Sequence, residues 1–86
     1  MRFRRGSLVR LSRDRRSIGA VQLLSSANRH SRGALINFQP TDVGLVLRTE
    51  EAPSWPGGPI HEVVEVLVPR GSGWIYVDYL SLEAEP

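Results

Sequence analysis

The stretch Glu62-Val63-Val64-Glu65-Val66-Leu67-Val68 restricts the possible folds of this chain more than any other segment. Its β-branched residues favour extended backbone. In that conformation Val64, Val66 and Val68 share one side with Glu62, and Val63, Glu65 and Leu67 share the other. Neither side is wholly polar, so the strand is expected to be covered on both faces, as in a small barrel or an assembly. Similar short apolar runs recur between clusters of Gly, Pro and Ser, and helical spacing is nowhere sustained. Strands are predicted at 8–11, 18–24, 34–38, 45–48, 63–68 and 74–77, with a short closing piece around Leu82. The glycines of segment 69–73 predict a tight hairpin. Segment 49–61 reads as a long loop, because Pro53, Pro56, Pro59, Gly57 and Gly58 surround Trp55 there.

The chain has 86 residues and no cysteine, so no disulfide or thiolate metal site can staple it. A chain of this size buries only about 60 to 65% of the surface it exposes when unfolded. One domain spanning 1–86 is therefore expected, resting on one small apolar core. At 41% hydrophobic and 23% charged residues, the composition is too apolar for a disordered chain. The run Val66-Leu67-Val68 stops at Pro69, far short of a membrane span. Met1-Arg2-Phe3-Arg4-Arg5 resembles the basic start of a signal peptide, but Arg10, Arg13, Asp14, Arg15 and Arg16 interrupt the apolar stretch that should follow. A location in a virion or the cytoplasm is expected, with no membrane partner.

Near the C-terminus, Gly71-Ser72-Gly73-Trp74-Ile75-Tyr76-Val77-Asp78-Tyr79-Leu80 resembles the closing segment of Src-homology-3-like barrels. Gly73, Trp74 and Ile75 fall where that family has Gly, an aromatic and Ile, and Tyr79-Leu80 fall on its Tyr-Val. Asp78 falls near the family's usual Asn. The resemblance implies an all-β, five- to seven-stranded barrel with a one-turn 3₁₀ helix before the last strand. Tyr76 replaces the family's groove-forming proline, and 8–14 supplies no Tyr for its acidic-aromatic motif, so binding of proline-rich peptides is not implied. Short phage proteins have a similar Gly-aromatic-Ile-Tyr strand, acidic turn and Leu-Glu tail. A fainter resemblance links Gly6-Ser7-Leu8-Val9-Arg10-Leu11, the basic loop after it, and Ile18-Gly19-Ala20-Val21 to the KOW motif of ribosomal and transcription-elongation proteins. That likeness implies contact between the basic loop and RNA.

Charge is divided unevenly along the chain. Residues 1–32 carry nine Arg and one acid, Asp14, for +8, while 33–86 carry two Arg and eight acids for −6, summing to +2. All cations are Arg, whose guanidinium fork suits carboxylate and phosphate recognition, although GC-rich codon usage produces the same bias. Arg10, Arg13, Arg15, Arg16, Arg29 and Arg32 are the candidate phosphate-binding residues of a nucleic-acid module. Aromatics for base stacking are sparse in this half, which offers only Phe3.

Enzyme patterns are nearly absent. His30 and His61 have no cysteine, paired-acid spacing or phosphate-cradling glycine loop beside them. No catalytic residue, metal site or cofactor is expected. The first expectation is a non-enzymatic structural or adaptor protein, such as a small phage virion component, that binds neighbouring subunits or copies of itself. Its partner-binding candidates are Phe3, Arg4 and Arg5 on a basic arm at 1–6, Trp55 on the proline loop, and Tyr76 and Tyr79. A nucleic-acid-binding barrel and a small inhibitor of a host protein are the alternatives.

Overall fold

The computed structural model describes residues 3–24, 36–53 and 56–86, and for Arg15, Arg16 and Ser17 the backbone alone. In chain order the elements are β1 (Leu8–Leu11), α1 (Arg13–Ile18), β2 (Val21–Gln22), β3 (Asn37–Phe38), β4 (Gly44–Pro53), β5 (Ile60–Val68) and β6 (Gly71–Tyr76). A 3₁₀ turn (Val77–Tyr79) and β7 (Leu80–Ala84) follow. Five strands form an antiparallel sheet in the order β6-β5-β4-β1-β7, and β2 and β3 form a separate two-stranded ribbon. The expected all-β architecture is therefore present, including the one-turn 3₁₀ helix before the last strand.

The expected closed barrel is not. The terminal strands β6 and β7 do not pair with each other. Leu24 occupies the free edge of β6 instead, exchanging two backbone hydrogen bonds with Trp74: each N–H donates to the other's carbonyl at 2.8 Å. The 3₁₀ turn carries the chain past this edge to β1, where Leu11 pairs with Leu80 and the Ser12 N–H donates to the Tyr79 carbonyl at 2.8 Å.

Three further expectations change. The strand predicted at 18–24 shortens to Val21–Gln22, because α1 takes Ile18 and leaves it exposed. An acid, Asp14, lies in the first turn of α1, where it favours the helix dipole, and Gly19 follows at φ +119°, a conformation that disfavours other residues. The loop predicted at 49–61 is mostly hairpin: β4 continues to Pro53 and β5 begins at Ile60, in register from Thr49↔Val64 to Pro53↔Ile60. Pro53 stands at the last pair, where a missing N–H removes least from the ladder. Of the arm at 1–6, the described residues 3–6 pack onto the body, since Phe3 is 5% exposed within the core and the Gly6 N–H donates to the Val46 carbonyl at 2.8 Å.

The main core combines Val9 and Leu11 of β1, Val46 of β4, Val64, Val66 and Val68 of β5, and Ile75 of β6 with Phe3, Leu23, Phe38, Val77 and Leu80. The inward-facing valines of β5 are the Val64, Val66, Val68 set that the sequence groups on one side. A second, smaller cluster of Ala52, Val63 and Trp74 lies on the opposite face, so β5 is covered on both sides only at that end. Leu67, farther along, is 45% exposed.

Leu23 reaches the core across Gly73. A Cβ built on Gly73 would lie 2.6 Å from the Leu23 Cβ and 3.0 Å from the Leu24 carbonyl oxygen. Neither atom sits at the end of a flexible side chain, so the contact cannot relax by a rotamer change. Gly73→Ala is expected to destabilise the fold by about 1–3 kcal/mol through overpacking. A urea midpoint equal to that of the unsubstituted chain would show that the ribbon is not seated on β6.

Candidate interaction surface

The outward side of the five-stranded sheet holds a continuous apolar row. Leu8 lies opposite both Ala84 of β7 and Leu45 of β4, and Leu45 lies opposite Leu67 of β5. Directly paired residues stand within about 5.5 Å at Cβ, so register places the four residues side by side across four strands, next to a register shift between Leu8 and Val9. Alternation turns them outward: Leu8 is 37% and Leu67 45% exposed, whereas Val9, Val46, Val66 and Val68 are buried. Val43, two residues before Leu45, is also largely exposed.

An ion pair flanks the row on each side. Arg10, two residues from Leu8 on β1, places its NH1 3.6 Å from Glu83 of β7. Glu65, two residues from Leu67 on β5, accepts a hydrogen bond from Arg48 Nε at 3.0 Å. Arg48 also lies over the Trp74 ring, 5.4 Å from its centroid, so acid, guanidinium and indole form one stack across β4, β5 and β6. The hydrogen bond to Glu65 holds the Arg48 pKa above its usual value, helped by the charges of Glu65 and Glu50 and opposed by slight desolvation. A raised pKa favours the fold wherever Arg is protonated, and that contribution fades only as pH rises through the strongly alkaline range. Arg48 therefore does not switch near neutral pH. Beside this stack lies a shallow open groove of about 560 Å³, lined by Arg5, Leu47, Arg48, Thr49, Glu50 and Glu65.

A smaller depression of about 60 Å³ lies between the ribbon and β6, lined by Val21, Gln22, Leu24, Trp74, Ile75, Tyr76 and Tyr79. The Tyr76 and Tyr79 rings meet edge to face at 5.6 Å, and His61 packs against Tyr76 at 5.3 Å. Both tyrosines are half-buried. Tyr79 packs against the main core and Tyr76 against the smaller cluster.

The structure separates the residues predicted from the sequence. Phe3 belongs to the core, which corrects its assignment as a partner contact. Arg4 and Arg5 are exposed on the turn before β1, and Arg13 is exposed at the start of α1. Arg10 is held by Glu83, so this cation from the basic half meets an acid from the acidic half. Trp55, Arg29 and Arg32 lie outside the described residues, as do the side chains of Arg15 and Arg16. The Leu8–Leu45–Leu67 row is not legible in the sequence, because only the strand register brings the three leucines together. Among the described residues, no group of three or more His, Asp or Glu could hold a metal ion, and no helix is long and apolar enough to cross a membrane. The chain matches no known protein family, no curated protein and no solved structure.

If Tyr79 supports the fold from the core margin, Tyr79→Ala should lower stability by about 2–4 kcal/mol in urea unfolding. An unchanged midpoint would assign the ring to partner contact alone. Arg48→Ala should leave the fold intact and make tryptophan fluorescence easier to quench with acrylamide, since the guanidinium covers Trp74. Identical quenching would contradict the stack.

Proposed function

We propose that this chain is a non-enzymatic structural or adaptor subunit of a larger protein assembly, built on an open Src-homology-3-like body. The Gly73-to-Leu80 resemblance, the strand order and the 3₁₀ turn before β7 support the fold relationship. The observation that carries the functional reading is the outward row of Ala84, Leu8, Leu45 and Leu67. Three leucines aligned over three strands, two of them exposed and Leu45 half-buried, cost solvation when left in water, and apolar patches of this kind mark contact surfaces. The short, barrel-like resemblance to phage proteins makes a virus particle the expected assembly.

A second reading, a nucleic-acid-binding module, is favoured by the exposure of Arg4, Arg5 and Arg13. Phosphate contact requires cations that are not already neutralised, so Arg10, held by Glu83, fits this reading less well than those three.

Leu67→Glu tests the first reading, because the side chain is exposed and its loss should spare the fold. The variant should keep the wild-type thermal midpoint while failing to co-fractionate with the large assembly formed by the natural chain in its native lysate. Equal fractionation of the two proteins would refute a role for the row. The nucleic-acid reading predicts DNA or RNA binding at ~50 mM salt, with a log–log salt slope that shrinks by roughly 2–3 when Arg4, Arg5 and Arg13 become Ala. No binding at that salt concentration removes it.

A further inference from the structure

We propose that the outward row is covered by a second copy of this chain, related by a two-fold axis and packed sheet against sheet. This rests on the reading of the row as a contact surface and names its occupant. The choice of occupant follows from charge. An anionic partner such as a phosphate backbone or a lipid surface needs unneutralised cations beside the apolar residues. Instead, each flank carries one Arg and one Glu already paired, Arg10 with Glu83 on one side and Arg48 with Glu65 on the other. The groove beyond the second flank is balanced too, with Arg5 and Arg48 against Glu50 and Glu65.

A patch with an apolar centre and one Arg–Glu pair on each side is complementary to its own copy. A two-fold sets apolar row on apolar row and brings an Arg–Glu pair beside an Arg–Glu pair, satisfying an isologous contact with one surface. Two sheets stacked in this way lie about 10 Å apart, the distance that lets single layers of leucine interdigitate. The molecule measures only 33 × 25 × 23 Å, so even its broadest face is close to the roughly 800 Å² per partner of a standard stable interface, and the leucine row, one strip of one face, buries less. The dimer is accordingly weak, with a dissociation constant of roughly tens to hundreds of micromolar.

Sedimentation equilibrium of the purified full chain from ~5 µM to ~1 mM brackets that range. The apparent mass should rise from 9.6 kDa toward twice that value with concentration. Leu67→Glu should weaken association by about tenfold or more, because each dimer would bury two carboxylates. Ile18→Glu, which alters an exposed residue on α1 outside the row, should leave association unchanged, and circular dichroism should show both variants folded. A chain that stays monomeric at ~1 mM, or a dimer that survives Leu67→Glu, overturns the proposal. A monomeric purified chain that still loses its native assembly on Leu67→Glu would remove the self-association and keep the contact-surface reading. Loss of neither association would remove both.

Discussion

The paired backbone hydrogen bonds between Leu24 and Trp74 organise the rest of the molecule. They give the edge of β6 a partner that is not β7, so the sheet remains open and its ends can diverge. They also set Leu23 above Gly73, where a side chain at 73 would have no room, and thereby bring the β2–β3 ribbon onto the core. Without this docking, β6 would present an unpaired edge and Leu23 and Phe38 would lose the surfaces that bury them. The ribbon thus acts as a cap on a five-stranded sheet that is too small to enclose its own core.

The two faces of the sheet have different roles. The inward face is filled by aliphatic residues from every strand, with Phe3, Phe38 and Tyr79 closing its margins. The outward face is divided. One end carries Trp74, Val63 and Ala52 beneath Arg48, and the other carries the leucine row. Burial of Trp74 and Val63 stabilises the chain itself, whereas Leu8 and Leu67 stay exposed to solvent. The ion pairs beside the row cancel locally, which favours a partner of the same mixed character over a uniformly charged one.

Much of the fold is legible in the sequence where local pattern and tertiary context agree. The short apolar run Leu8–Leu11 forms β1, and the glycines at 71 and 73 mark the hairpin into β6. Segment 49–53 misleads because its proline- and glycine-rich continuation resembles a loop, while pairing with the valines of β5 extends the strand through it. Ile18 misleads because its β-branched side chain suggests a strand, yet it ends a short helix that the preceding polar residues start. The leucine row is hidden for another reason: Leu8, Leu45 and Leu67 are far apart in sequence, and only the strand register shows that they are neighbours. The uneven charge of the two halves is no better a guide to the surface, since Arg10 of the basic half pairs with Glu83 of the acidic half.

The account depends most on the ribbon being held to β6 by the Leu24–Trp74 bridge. Native-state amide hydrogen exchange measures this directly, because an amide bonded in a cooperative unit exchanges only when that unit opens. The Leu24 and Trp74 amides should exchange as slowly as those of Val64 and Val66 in the central strand β5. Exchange at the rate of an open loop, with β5 still protected, would contradict the account.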